Sequence, residues 1–217
     1  MDQILKIIAH NATLISIIIS VVALIQSYKQ IKLSNKQNLF NERLKNYLLV
    51  QSLIDLYRNN RDHILKIKRE AIYFACDFDF TGLINNSYLE SMGDAIKRPL
   101  QPIQQKDFLR KIEEINQEAE RVEFIYDKKE AKQLSKFVSL YSKYLMESYR
   151  YIVLLQSMEE IRSTDIQKRD VHNIAATVGE EKERKELFKI LDDLDDIYNK
   201  LVKNKVMKKI RKQIKLI

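Results

Sequence analysis

The longest uncharged stretch of the sequence spans residues 7–28 and is dominated by Leu, Ile and Val. At about 1.5 Å of rise per residue, a helix over this stretch would be about 33 Å long, enough for the roughly 30 Å hydrocarbon layer of a bilayer. A helix also satisfies its own backbone hydrogen bonds, which lipid requires. The pattern therefore predicts an N-terminal transmembrane anchor over 1–28.

Small and hydroxyl-bearing side chains interrupt this stretch at spacings of three and four residues: Thr13, Ser16, Ser20, Ala23 and Ser27. That spacing places all five on one face of a helix, and every other residue between 14 and 25 is Leu, Ile or Val. Helices in lipid associate through small residues, which allow close approach, and through hydroxyls that hydrogen-bond across the contact. The pattern predicts a homo-oligomer whose spans pack through this stripe, or a pore that the stripe lines.

Basic residues are denser after the predicted span than before it. Lys6 alone precedes it, and five cations follow within about twenty residues: Lys29, Lys32, Lys36, Arg43 and Lys45. Because basic loops stay on the cytoplasmic side, we expect an uncleaved single-pass anchor in the inner (plasma) membrane, with the N-terminus outside. The one cysteine, Cys76, can form no disulfide within the chain, which fits a cytoplasmic domain.

Beyond the anchor, apolar residues recur at helical spacing, and turn-forming residues are scarce, with 3 Gly and 2 Pro in 217 residues. The pattern predicts an all-α protein in which the transmembrane helix continues into a cytoplasmic helical bundle over 29–202. We expect long helices over 104–127 and 129–161 and from 180 onward. Shorter helices are expected over 88–97 and 170–178, the second closed by Gly179 as a C-cap.

The net charge of +8 is concentrated in a basic amphipathic tail over 203–217, since that segment carries no acidic residue. Its cations are Lys203, Lys205, Lys208, Lys209, Arg211, Lys212 and Lys215. Its apolar residues fall on one helical face: Met207, Ile210, Ile214 and Ile217. Such a helix suits an anionic lipid leaflet, a nucleic-acid backbone or a partner helix, and a solvated end of the bundle is the fourth interpretation.

Motifs for cofactor and metal chemistry are missing from the sequence, and we expect neither a cofactor nor a metal site. Four acidic residues cluster at Asp192, Asp193, Asp195 and Asp196. On a helix, Leu191, Leu194 and Ile197 would take the buried stripe, so the carboxylates are expected mostly to face water. A tyrosine cluster at Tyr141, Tyr144, Tyr149 and Tyr151 could stack bases, but its spacing favours core packing.

One short motif carries candidate catalytic chemistry. The run Arg58-Asn59-Asn60-Arg61-Asp62-His63 resembles the Arg-Asn-x-x-x-His signature of HEPN ribonucleases, helical-bundle proteins that pair their motifs across a dimer and cut RNA without a metal. The resemblance implies that Arg58 binds and polarises the scissile phosphate and that His63 acts as the acid or base. The family's motif lies in a late helix, whereas this one falls in the first cytoplasmic helix. Surface charge on that helix is the alternative interpretation.

The whole architecture is similar to that of small membrane effectors of prokaryotic anti-phage defence, such as membrane-anchored HEPN-like CRISPR accessory proteins and abortive-infection membrane proteins. This resemblance implies an oligomeric effector that forms a pore or disrupts the inner membrane. Its expected partners are other copies of the chain, the bilayer, and nucleic acid or a nucleic-acid-guided defence protein. A membrane-tethered HEPN-like RNase or nucleic-acid-binding protein and a non-catalytic membrane scaffold are the alternatives, and only the RNase would be an enzyme.

Overall fold

The computed structural model describes residues 2–67, 69, 72, 78–99, 101–126, 128–164 and 170–214. All regular structure in these residues is helical, which confirms the all-α fold. The elements in chain order are α1 (Asp2–Leu65), a 3₁₀ turn (Thr81–Ile84), α2 (Met92–Lys97), α3 (Pro102–Ile125), α4 (Lys128–Thr164), α5 (Val171–Val178), α6 (Glu180–Lys203) and α7 (Val206–Gln213).

Helix α1 is a single helix of 64 residues, about 96 Å long at 1.5 Å per residue. Its side chains are exposed from 14 to 39, and burial begins at Phe40. Asn46 and Val50 are the first residues that the bundle buries completely. The apolar segment therefore runs into the bundle without a break, as expected, and we call the exposed residues 29–39 the stalk.

The N-terminal part of α1 has the length and apolar composition to cross a membrane, and it is the one helix in the described part of the chain that does. From Leu14 onward the bundle covers none of the apolar side chains of this segment: Ile19, for example, is 63% exposed and Leu24 is 70% exposed. A core helix of a water-soluble protein would be apolar as well, but its neighbours would bury it. The finding agrees with the predicted anchor.

The C-terminal part of α1 packs with α3, α4 and α6 around one hydrophobic core. Helix α4 lies at its centre, against both α3 and α6. Aromatic side chains fill the middle of the core, where Tyr57 packs edge-on against Phe137 and Tyr198. The four tyrosines of α4 that the sequence singled out are all buried, which confirms that they pack in the core: Tyr141, Tyr144, Tyr149 and Tyr151. Gly179 closes α5 with a left-handed backbone, as expected of a C-cap.

Helix α7 belongs to this bundle. Three of the four residues of the apolar face predicted for the basic tail lie against the core: Ile210 is 0% exposed, Ile214 is 7% exposed, and Met207 is half-buried at its edge. The fourth, Ile217, lies outside the described residues. Val206 is buried with the first three. The face that could have entered a lipid leaflet is therefore occupied by protein. The basic side chains of α7 are left on the outside.

One arginine marks the end of the bundle at which α1 enters it. Arg43 donates from Nε to the carbonyl oxygen of Ile125 at 2.7 Å and from Nη1 to that of Gln213 at 2.7 Å. The C-terminal ends of α3 and α7 therefore lie level with Arg43, and we call this the stalk end. Farther along α1, Arg61 contacts Asp195, so the chain from α6 to α7 runs antiparallel to α1.

Candidate functional sites on the long helix

The stripe of small residues on the anchor is exposed, with Ser16, Ser20, Ala23 and Ser27 all on the surface of α1. The side chain of Thr13 lies outside the described residues. Ser20 donates its hydroxyl proton to the carbonyl oxygen of Ser16 at 2.8 Å. The hydroxyl proton is thus used within the helix, and Ser20 offers a neighbouring helix a small surface and an acceptor oxygen.

The same face of α1 continues below the apolar segment. Thr13, Ser20 and Ser27 are seven residues apart, and Ser34 and Asn41 extend that spacing through the stalk. Because α1 is unbroken, all five positions fall on one side, with the slow drift expected of a seven-residue repeat. The sequence pattern did not predict this extension, because Ser34 and Asn41 lie among other polar residues and do not stand out as they do among Leu, Ile and Val.

The extension of the stripe at Asn41 turns away from the contact with α3. Asn46 faces the bundle, where its Nδ2 donates to Glu118 Oε2 of α3 at 2.9 Å. Asn41 precedes Asn46 by five residues, which is about 140° around an α-helix. A second α1 helix could therefore pack against α1 at Asn41 without displacing α3.

A groove of about 610 Å³ opens between α1 and α7 at the stalk end. Its floor is apolar and consists of Phe40, Leu44, Tyr47, Leu48 and Ile214. Its rim is basic and consists of Lys208, Arg211 and Lys212. Leu48 is 58% exposed in it. No acidic residue of the described chain lines this stalk-end groove, so it presents an apolar surface bordered by positive charge.

The structure divides the predicted tail cations among different surroundings. Lys208, Arg211 and Lys212 come together on the rim of the groove. Lys209 lies 3.4 Å from Glu130 Oε1 of α4. Lys203 and Lys205 are exposed near the junction of α6 and α7, and Lys215 lies outside the described residues. Three of the seven predicted cations therefore form a concentrated patch.

The two residues assigned to the HEPN-like motif do not converge within one chain. Arg58 is paired with Asp55, with Nη2 2.5 Å from Oδ1, and its side chain is 57% exposed. His63 is exposed near the end of α1. Five residues separate them, so their side chains leave the helix about 140° apart. The two side chains therefore leave α1 in different directions, and their catalytic role, within one chain or across two, stays a prediction.

Two residues inside the motif hold the bundle together. Asn60 donates from Nδ2 to the carbonyl oxygen of Gly82 at 3.0 Å, which fixes the 3₁₀ turn against α1. Arg61 binds Asp195 with both arms of its guanidinium group, Nε to Oδ1 at 2.6 Å and Nη2 to Oδ2 at 2.9 Å. Tyr57 donates its hydroxyl to Asp195 Oδ1 at 2.9 Å. These three residues tie α1 to the 3₁₀ turn and to α6.

The electrostatics of this cluster follow from its contacts. The hydrogen bond from Arg61 is the main reason that the pKa of Asp195 is lowered, and partial burial opposes it. The pKa of Tyr57 is raised, first by burial and then by the charge of Asp195. Asp195 is therefore an anion and Tyr57 a neutral donor at neutral pH, which is the state that their hydrogen bond requires.

The acidic cluster of α6 behaves partly as expected. Asp192, Asp193 and Asp196 are exposed, and Asp195 is only 17% exposed by its side chain. Asp192 binds both terminal nitrogens of Arg69 at 2.6 Å. Within the described ranges, no group of three or more His, Cys, Asp or Glu side chains is placed to hold a metal ion. Two of its four carboxylates, Asp192 and Asp195, therefore bind Arg69 and Arg61 to α6.

Comparisons of the chain with known protein families, with curated proteins and with solved structures find no match. The features that bear on function are the exposed stripe of α1, the stalk-end groove and the charged residues around them.

Proposed function

We propose that this chain is an oligomeric single-span effector of the inner membrane, which forms a pore or otherwise disrupts the membrane in anti-phage defence. In this proposal the N-terminus lies outside and the bundle lies in the cytoplasm. The observation that carries it is the exposed stripe on α1, on a helix that passes unbroken from the apolar segment into the bundle core. The link to defence comes from the architectural resemblance alone.

The stripe supports association because it is the one regular departure from bulky aliphatic residues between 14 and 25. Small side chains let two helix axes come close, and the closer approach increases van der Waals contact along the span. Ser20 keeps an acceptor oxygen for a neighbouring helix while its proton is bound to Ser16. In a ring of copies that turn this face inward, the hydroxyls would line the axis.

The extension of the stripe supports a pore over a simple dimer of spans. Ser34 lies on the stalk and Asn41 lies just beyond it, where the surroundings are aqueous and an apolar seam would be expected to hold two helices together. The seam is polar instead. A polar face that runs from the span into the stalk is what a water-filled path requires, because apolar constrictions exclude water.

The stalk cations fit the proposed orientation. Lys29 and Lys32 are exposed on the first turn after the apolar segment. Cations at that position would lie at the level of the lipid headgroups and contact anionic lipid. The same side chains oppose translocation of the bundle, so the bundle would remain cytoplasmic.

Membrane potential in intact bacteria tests the proposal. We expect cells that express the full-length protein to lose their potential when challenged with phage, as measured with a potential-sensitive dye. Ser16→Leu combined with Ser20→Leu should abolish this effect, because bulky side chains prevent close approach. Ile18→Leu combined with Val22→Leu is the matched control, since these residues lie about 200° around α1 from the two serines.

The same cells separate the alternatives. If the protein is a pore, Arg58→Ala and His63→Ala should leave the loss of membrane potential unchanged. If it is an RNase, each of these substitutions should abolish RNA cleavage, whereas the variant with Leu at positions 16 and 20 should still cleave RNA. A scaffold would produce neither effect. An intact potential in challenged cells, with the protein inserted in the proposed orientation as shown by protease protection, would contradict the pore.

A further inference from the structure

We propose that the stalk-end groove of one copy receives Phe124 of the neighbouring copy, so that the oligomer is closed by a second contact in the bundle layer. The inference rests on the proposed oligomeric function and names its cytoplasmic interface. It comes from two exposed surfaces of the same chain, one an apolar groove with a basic rim and the other an apolar side chain with acidic neighbours.

Phe124 is the most exposed large hydrophobic residue of the described chain, with 87% of its surface in contact with solvent. It lies in the last turn of α3, with exposed Glu120 and Glu123 beside it. Arg121, the cation of that turn, is engaged by Glu118 Oε1 at 2.9 Å. We call Phe124, Glu120 and Glu123 the acidic knob. The side chain of Phe124 is left almost uncovered by the described part of its own chain.

The groove complements the knob in its apolar floor and in its charge. Leu44 and Leu48 of its floor are exposed, and a phenyl ring placed on them would remove apolar surface of both chains from water. Lys208, Arg211 and Lys212 have no acidic partner in the described part of the chain. Glu120 and Glu123 of a neighbour would supply such partners, and charge complementarity of this kind selects the partner and its orientation.

The two surfaces lie at the same height on the molecule. Arg43 binds the carbonyl oxygens of Ile125, next to Phe124, and of Gln213, next to the groove residue Ile214. Copies anchored in one membrane through parallel α1 helices share their height above the bilayer. The knob of one copy is therefore level with the groove of the next.

The groove lies on a different side of α1 from its contact with α3. Asn46 of α1 points toward α3, since it contacts Glu118. Leu48 of the groove follows two residues later, which is about 200° around the helix. A contact between two unlike surfaces, the groove of one copy and the knob of the next, is heterologous, and repetition about an axis normal to the membrane would close it into a ring.

The size of the contact explains why the anchor is needed. A buried Phe contributes about 150–250 Å², far less than the roughly 1,200 Å² of a stable interface. The knob alone would not hold copies together in solution. Copies whose spans already associate have a high effective local concentration, which makes a small second contact sufficient.

Cysteine cross-linking in isolated membranes tests the contact. In a Cys76→Ser background, Leu48→Cys combined with Phe124→Cys should give a ladder of disulfide-linked species on mild oxidation, and each single cysteine should give none. Leu48→Cys combined with Ile103→Cys is the matched control. Ile103 is 75% exposed and lies on α3, the helix that carries Phe124. It is about 32 Å along α3 from Phe124, so no ladder is expected.

Charge reversal supplies the second readout. Lys208→Glu with Arg211→Glu, or Glu120→Lys with Glu123→Lys, should each lower the cross-linking yield by about fivefold or more, and all four together should restore it. A cross-linking yield that does not change on charge reversal would overturn the proposal. A second result would also overturn it: no ladder forms, and anionic vesicles protect the thiol of Leu48→Cys from a thiol reagent. The groove would then bind lipid.

The mass of the detergent-solubilised wild-type protein separates this inference from the proposed function. An oligomeric mass without the ladder overturns the knob contact and leaves the oligomer standing. A monomeric mass overturns both. An oligomeric mass with the ladder, lost on charge reversal, supports both.

Discussion

Asp195 is the position at which the structural role of the Arg58 to His63 segment can be measured. Its carboxylate accepts hydrogen bonds from both arms of Arg61 and from the hydroxyl of Tyr57. Asp195→Ala would remove every one of these acceptors. Tyr57 is 0% exposed, so its hydroxyl would be left buried without this partner, whereas Arg61, 30% exposed by its side chain, could turn toward water.

The expected cost follows from those two exposures. A buried hydroxyl without its acceptor costs about 1–3 kcal/mol. The ion pair adds about 1 kcal/mol, since Arg61 is partly hydrated when the pair is broken. Together Asp195→Ala should lower the free energy of unfolding by about 2–4 kcal/mol, a substantial part of the roughly 5–15 kcal/mol of a folded domain. The matched control, Asp196→Ala, removes an exposed carboxylate of the same helix and should change stability by less than about 0.5 kcal/mol.

Urea unfolding of the full-length protein in detergent, followed by tyrosine fluorescence, measures both variants, because the core tyrosines lie in the bundle. A double-mutant cycle of Asp195→Ala with Tyr57→Phe should show coupling of about 1 kcal/mol or more. If Asp195→Ala costs no more than Asp196→Ala, or if the cycle shows additive effects, the stabilising role assigned to this cluster is wrong. Arg58→Ala and His63→Ala should both be close to neutral, since both residues are exposed.

Three further predictions concern the fold. Because the pKa of Asp195 is lowered on folding, its contribution to stability should be complete at pH values above its unfolded pKa of about 3.9 and should be lost as the pH falls through its lower folded pKa. Unfolding measured at a series of acidic pH values should show this loss in the wild type and not in Asp195→Asn. Gly82→Ala would place a Cβ 2.2 Å from Asn60 Oδ1, so Asn60 must give up its hydrogen bond to the turn and the free energy of unfolding should fall by about 1–2 kcal/mol. Gly93→Ala, with nothing within 4 Å of its Cβ, is the control and should have a melting temperature close to that of the wild type. Ile210→Ala should cost about 2–4 kcal/mol by leaving a cavity beneath α7, and Lys208→Ala on its exposed side should cost almost nothing; equal melting temperatures for these two variants would show that α7 is not part of the core.

Patterns in the sequence predicted those features of the fold that depend on residues close to one another in the chain. The all-α fold, the unbroken passage from the anchor into the bundle and the cap at Gly179 each depend on residues within a few turns of one another. The bounds of α3 and α4 also lie within a few residues of those expected. Spacing and turn chemistry were sufficient for these features.

The parts that the sequence did not predict join distant segments. Arg61 and Asp195 are 134 residues apart, and a charged residue on a helix gives no local sign of a partner that far away. The surroundings of the basic tail could not be predicted from the sequence for the same reason. A helix with one apolar and one basic face has the same pattern whether a lipid leaflet or a protein core covers its apolar face, and the core covers Ile210.

The continuity of α1 also makes the bundle respond to the tilt of the anchor. From the middle of the apolar segment, near Ile19, to the first bundle contact at Phe40 the helix rises about 32 Å. A tilt of about 10° would carry the stalk end sideways by about 5 Å, which is half the usual spacing of packed helices. A thinner bilayer favours greater tilt. In the proposed orientation, bilayer thickness would therefore set the lateral position of every bundle, with the stalk acting as a lever arm.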